Sequence, residues 1–103
     1  MAQIILEKKK TTNKERKKDD KFYIAILHND SYTYAEYVVL VLSEVFNKSY
    51  NDACKLMLEA HKTGKATIGL YEQSVAFEKR EAVDKHNEAF GQELLITIDR
   101  YEE

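Results

Sequence analysis

Residues 22–28, FYIAILH, are aromatic, β-branched or aliphatic with few breaks, whereas from Val38 onward the apolar residues fall at spacings of three and four. The first pattern fits a strand largely buried on both faces, the second an amphipathic helix. Between them Asn29, Asp30 and Ser31 form a turn, because their side chains hydrogen-bond nearby backbone. Thr33 and Glu36 have the spacing of a capping box, which predicts a helix start there. Val38, Val41, Leu42, Val45 and Phe46 give that helix one apolar stripe, running to about Asn47. Ser49 can cap a second helix with the stripe Ala53, Leu56, Met57, Ala60 and His61, and Gly64 can stop it in a left-handed conformation. Residues 65–71, KATIGLY, read as a strand. Residues 72–90 read as a third helix with Val75, Ala76, Val83, His86 and Phe90 facing inward, closed by Gly91. Leu94, Ile96 and Ile98 alternate in a last strand, with a charged, exposed end from Asp99 on. The order βααβαβ predicts an α+β fold: a two-layer sandwich with a three-stranded sheet packed against three helices.

A chain of 103 residues suits one domain with one modest core. Residues 7–20, EKKKTTNKERKKDD, hold no apolar residue. Residues 1–20 are therefore expected to be a flexible basic N-terminal extension to a folded domain of residues 21–103. The extension carries seven Lys/Arg against four Asp/Glu, the body nine against fourteen. So acidic a body argues against a nucleic-acid surface, which needs clustered cations to neutralise phosphates. No apolar run approaches the roughly 20 residues of a membrane span. The basic cluster follows the short apolar start, the reverse of a secretory signal, so a cytoplasmic protein is expected. The single cysteine, Cys54, falls in a helical apolar pattern where a buried thiol is ordinary.

Met57 and His61 are four apart and share a helical face. If the loop after the first strand lies beside that face, Asn29, Asp30 and His61 offer an amide oxygen, a carboxylate and an imidazole nitrogen. An ammonium group, with three donors and no acceptor, wants that set. By residue type alone, a turn and a boundary histidine explain the same residues. An enzyme with Asp30 and His61 as acid and base and Cys54 or Ser31 as nucleophile fares worse, since Cys54 and His61 stand nearly two turns apart on one helix. His28, His61 and His86 lie on three elements with no ligand spacing, so no metal is expected.

The run His28-Asn29-Asp30-Ser31-Tyr32-Thr33, then Glu36-Tyr37-Val38, is similar to the NDDYTPMEFV signature of the ClpS adaptors. Residues Ala53 to His61, followed by Gly64-Lys65, resemble that family's A-x-x-x-M-x-x-x-H-x-x-G-K segment. Gly69-Leu70-Tyr71, Val75-Ala76, Lys79 and Leu94-Leu95 extend the likeness from about Tyr23 to Asp99. The resemblance implies the same βααβαβ fold and an adaptor that binds bulky hydrophobic N-degrons and delivers them to a Clp ATPase. It implies no catalytic residue and no cofactor. In such proteins the substrate α-amine is held by the residues matching Asn29, Asp30 and His61. Ser31 and Thr33 belong to the peptide-contacting loop, and Ala35, Val38, Met57, Ala60 and Leu94 match the hydrophobic pocket. Lys79 and Ser74 match positions facing the N-terminal domain of the ATPase, of ClpA or ClpC type, and a monomer is implied. The alternative is a non-enzymatic interaction module of the same fold with a different ligand.

Four departures bear on that implication. Ser31 replaces an acid, Tyr34-Ala35 replaces Pro-Met, and Ala60 replaces a larger aliphatic residue; Ser74 also stands where a glutamate is common. Losing this volume opens space to be filled by a neighbour, by water or by a larger ligand side chain. Either Tyr34 swings in to refill it, or the pocket admits β-branched Ile and Val beside the aromatics and Leu.

Overall fold

A computed structural model describes residues 6–7, 21–30 and 32–102. The elements in order are β1 (Leu6–Glu7), β2 (Phe22–His28), α1 (Ala35–Glu44), α2 (Tyr50–Thr63), β3 (Lys65–Glu72), α3 (Gln73–Phe90) and β4 (Ile96–Arg100). The expected βααβαβ core is present: β2 lies between β3 and β4 and is antiparallel to both. Among the described residues the whole sheet has the order β1-β3-β2-β4.

The added strand falls within the span expected to be a flexible basic extension. Leu6 and Glu7 pair in parallel with Leu70 and Tyr71, on the edge of β3 that the core leaves open. An edge strand presents a row of unpaired N–H and C=O groups, and any nearby extended segment can use them. Two residues are too few to register as a periodicity. The rest of the expected extension lies outside the described residues.

Local signals account for most boundaries. The Ser49 hydroxyl accepts from the Asp52 amide at 3.1 Å, starting α2 as expected. Gly64 and Gly91 end α2 and α3 at φ of 99° and 65°, the left-handed region a Cβ disfavours. α1 stops by a different device: Asn47 takes φ 57° and the Lys48 amide reaches back to the Leu42 carbonyl at 3.1 Å. This bond closes the turn around the left-handed Asn47 and lends the Leu42 carbonyl a partner beyond the helix.

The start of α1 departs from the capping box. Tyr34 occupies the N-cap without a side-chain bond, one residue past the expected Thr33, whose hydroxyl donates to Asp30 Oδ2 within the loop. The two-faced burial expected of β2 is also reduced. Only Ala25 and Leu27 are fully buried, and their neighbours are half-buried, so β2 alternates as a sheet with one covered face does. Onto that face pack Val41 and Leu42 of α1, Ala53 and Leu56 of α2, Ile68 and Tyr71 of β3, Ala76 and Val83 of α3, and Ile98 of β4.

At the far end of the chain, Leu94 and Leu95 precede β4 rather than belonging to it, and Asp99 and Arg100 pair with Ile24 and Tyr23. Phe90, expected inward, is 54% exposed, touching the Tyr37 ring at 5.6 Å between centroids. No helix among the described residues is long and apolar enough to cross a membrane.

Candidate functional site

The loop after β2 is pinned at its start from two sides. The His28 amide donates to the Leu95 carbonyl at 3.1 Å, and the Asn29 amide donates to the Gly64 carbonyl at 3.0 Å. The first bond ties the loop to the approach to β4, the second to the end of α2. This brings Asn29 beside the last turns of α2, which sequence spacing alone could not show.

Asp30 then organises the loop from within. Its Oδ1 accepts the amides of Tyr32 at 2.7 Å and Thr33 at 2.8 Å, and its Oδ2 accepts the Thr33 hydroxyl at 2.8 Å. Burial pushes the Asp30 carboxyl up, but the Thr33 hydroxyl and the two amides outweigh it and hold the group below the usual carboxylate value. A carboxylate has about four lone-pair sites. Among the described residues three are engaged inside the loop, which leaves one on Oδ2 for a donor from outside.

Between this loop, the first turns of α1, the last turns of α2 and Leu94 lies a cavity of about 110 Å³. Leu27, Ala35, Val38, Met57, Ala60 and Leu94 give it apolar walls; His28, Asn29, Asp30, Thr33 and His61 give it a polar side. A closed protein cavity that admits benzene measures roughly 150 Å³, so this space, open to solvent, is on the scale of a leucine or phenyl side chain. Asn29 and His61 are exposed, and among the described residues their side chains hold no hydrogen-bond partner. The arrangement offers acceptors beside an apolar well, the complement of an ammonium group carried one bond from an apolar side chain.

Every described residue expected at the amine site or the pocket lines this cavity; Ser31 lies outside the described residues. Leu27 and His28 were missed, although both immediately precede Asn29 in β2. His28 shares a hydrogen bond of 2.9 Å with Thr97, which holds its ring against β4. Tyr34 has not refilled the gap left beside Ala35: it is 68% exposed and does not line the cavity. Cys54 does not line it either, and no group of three metal-ligating side chains occurs among the described residues.

Ser74 and Lys79 lie apart from the cavity on α3. Ser74 is exposed in the first turn. The Lys79 ammonium is turned inward, donating to the Val45 carbonyl at 2.8 Å and lying over the rings of Tyr71 at 5.4 Å and Phe46 at 5.7 Å. Its first role here is in the fold.

Comparison with known proteins decides the family. Residues 17–97 match the family model described as the ATP-dependent Clp protease adaptor protein ClpS. The chain belongs to the ClpS family. Its members are adaptors of the Clp protease rather than enzymes, and the activity of this chain is accordingly that of a Clp protease adaptor. The chain is 44% identical over 86 residues to the ClpS adapter of Myxococcus xanthus, covering 84% of this chain and 80% of that protein. To the ClpS adapter of Acetivibrio thermocellus it is 43% identical over 77 residues, covering 75% and 77%. Among solved structures, Agrobacterium tumefaciens ClpS2 bound to L-phenylalaninamide superposes with a TM-score of 0.74 at 30% identity. That match covers 80% of this chain and 99% of the other. A ClpS adaptor implies a Clp ATPase as partner and a peptide as ligand.

Proposed function

We propose that this ClpS adaptor captures proteins by a bulky hydrophobic N-terminal residue and delivers them to a Clp ATPase in the cytoplasm. The observation that carries the reading is the junction of acceptor groups and apolar walls in one cavity. The α-ammonium donates to the Asn29 side-chain oxygen, a His61 ring nitrogen and the remaining lone pair of Asp30, while the first side chain enters between Val38, Met57, Ala60 and Leu94. Ala35 borders the same space, and Thr33 and Ser31 face the peptide backbone beyond the first residue. L-phenylalaninamide, the ligand of the Agrobacterium relative, unites a free amine with an aromatic side chain. The exposed Ser74 and the neighbouring turn of α3 serve as the face toward the ATPase, with residues 1–20 assisting delivery, and the adaptor acts as a monomer.

Fluorescence anisotropy of labelled peptides beginning with Phe, Leu, Ile or Gly, each with a free or an acetylated N-terminus, tests the capture step. Free Phe- and Leu-led peptides bind, and acetylation abolishes binding. If no free N-terminus binds better than its acetylated twin, the amine site is wrong and the fold serves a different ligand.

A further inference from the structure

Leu94, an apolar wall of the cavity, lies outside the ladder of β4, so its backbone polar groups need partners from elsewhere. Both find them on one side chain. Asn87, in the last turn of α3, accepts the Leu94 amide on Oδ1 at 3.3 Å and donates from Nδ2 to the Leu94 carbonyl at 3.0 Å. A side-chain amide carries a donor and an acceptor on one planar group, and here it stands in for the neighbouring strand that Leu94 lacks. The same Oδ1 accepts the Tyr37 hydroxyl at 2.7 Å. Tyr37 is buried and precedes the wall residue Val38, so the amide links two walls of the cavity contributed by distant parts of the chain. The turn between them is closed as well, because the Asn87 carbonyl accepts the amides of Gly91 and Gln92.

We propose that Asn87 is a positioning residue for side-chain selection: by clamping Leu94 and holding Tyr37, it sets the depth of the cavity and so which N-terminal side chains fit. This rests on the capture of N-terminal residues proposed above. Asn87 touches neither the ligand nor the amine site. Its removal therefore changes discrimination among side chains and leaves the demand for a free amine alone. Aspartate at this position keeps the acceptor for Leu94 and Tyr37 but sets an oxygen against the Leu94 carbonyl, and leucine or alanine keeps neither bond.

The test uses the full chain and the variants Asn87→Ala, Asn87→Asp and Tyr37→Phe, the last a milder change that removes one bond only. Hydrogen exchange at the Leu94 amide is measured beside the affinities of Phe-, Leu- and Val-led peptides, free and acetylated. In Asn87→Ala the Leu94 amide exchanges about tenfold faster or more, as loss of a buried hydrogen bond implies. The ratio of affinities between the best and the worst side chain shrinks severalfold, on the order of one such bond's effect. The preference of the Phe-led peptide for a free over an acetylated N-terminus stays within about twofold, as expected for a group outside the amine site. Tyr37→Phe shifts the side-chain ratio the same way by less. A common loss for all three peptides, or an unchanged Leu94 exchange rate, overturns the proposal. A wild type that binds no free N-terminus above its acetylated twin removes the proposed function and the selective role together. A wild type that binds normally beside variants of unchanged selectivity removes the selective role alone.

Discussion

The two ends of α1, ten residues and about 15 Å apart, both set polar acceptors beside apolar surface, and on our proposal both meet an ammonium group. At the C-terminal end the chain supplies its own: Lys79 bonds the Val45 carbonyl and covers the faces of Phe46 and Tyr71. At the N-terminal end, acceptors on Asn29, Asp30 and His61 surround an apolar cavity, and among the described residues no cation of the chain lines it. The ingredients are alike, a polar acceptor beside apolar or aromatic surface. At one end the chain closes the arrangement on itself and gains stability; at the other it leaves the arrangement open, where we propose that the ligand binds. Stability and binding should therefore respond separately to changes at the two ends.

The largest effects belong to the open end. His61→Ala and Asn29→Ala each weaken a free Phe-led peptide by about tenfold to a hundredfold, the range for a hydrogen bond to a charged group. Both residues are exposed, so thermal denaturation should show almost no change in Tm. The closed end should behave in the opposite way. Lys79→Met keeps an apolar stem and loses the bond and both ring contacts, costing about 1–2 kcal/mol for a half-buried ammonium. Urea denaturation should register that loss while peptide affinity stays within about twofold, as additivity of distant sites requires. If Lys79→Met weakens peptide binding as much as His61→Ala does, the two ends are coupled and the comparison fails.

How far the sequence led differs between these regions for a physical reason. Ser49, Gly64 and Gly91 act on backbone groups a few residues away, and each was legible because its chemistry is local. Met57 and His61 were legible as one helical face for the same reason. Asn29 and Leu94 come to that face through the bonds of Asn29 to Gly64 and of His28 to Leu95 across the fold, and it was the family resemblance, not their spacing, that assembled the cavity. Thr33 misled because a hydroxyl at a strand-to-helix junction can serve either the helix or the loop. The capping rule assigns its oxygen to an amide of α1, but the helix takes Tyr34 as its N-cap and the Thr33 hydroxyl joins the loop bonds to Asp30. Phe90 misled because periodicity reports which residues share a face and not how far that face is covered, and the Phe90 ring lies against Tyr37 and His86 while more than half of the residue stays exposed. Asn87 gave no signal at all: an asparagine late in a helix reads as a weak helix former until its partners on Leu94 and Tyr37 are seen.

A smaller effect sharpens the open end. Tyr34 is exposed and does not close the cavity beside Ala35, and we hypothesise that the cavity accepts β-branched Ile- or Val-led peptides as well as Phe and Leu. Ala35→Met returns a long thioether to the rim. It should weaken Ile-led peptides severalfold, roughly 1 kcal/mol, relative to Leu-led ones, since overfilling a packed site costs on that scale. Equal rejection of Ile-led and Gly-led peptides by the wild type would sink this idea before the variant is made.

The smallest effect lies where α3 passes the end of α1, at His86. Its Nδ1 lies 3.0 Å from the Ala82 carbonyl and its Nε2 lies 3.0 Å from Glu44 Oε1. Both partners are acceptors, and only the doubly protonated ring can donate to both. The Glu44 bond raises the His86 pKa above its ordinary value of 6.5; burial opposes this, while the Ala82 bond and the charge of Glu44 add to the rise. A histidine with a raised folded-state pKa contributes stability that is complete below the unfolded value and lost as pH climbs through the folded one. The Glu44 side chain is 55% exposed, so the contribution is under about 1 kcal/mol. Melting wild type and Glu44→Gln at pH 5.5 and again at pH 8.5 reads it out. The wild type should be the more stable at the lower pH and the two should converge at the higher. An equal gap at both values would mean that the charge on His86 is not what Glu44 stabilises, and that the contact holds α1 to α3 through a neutral ring.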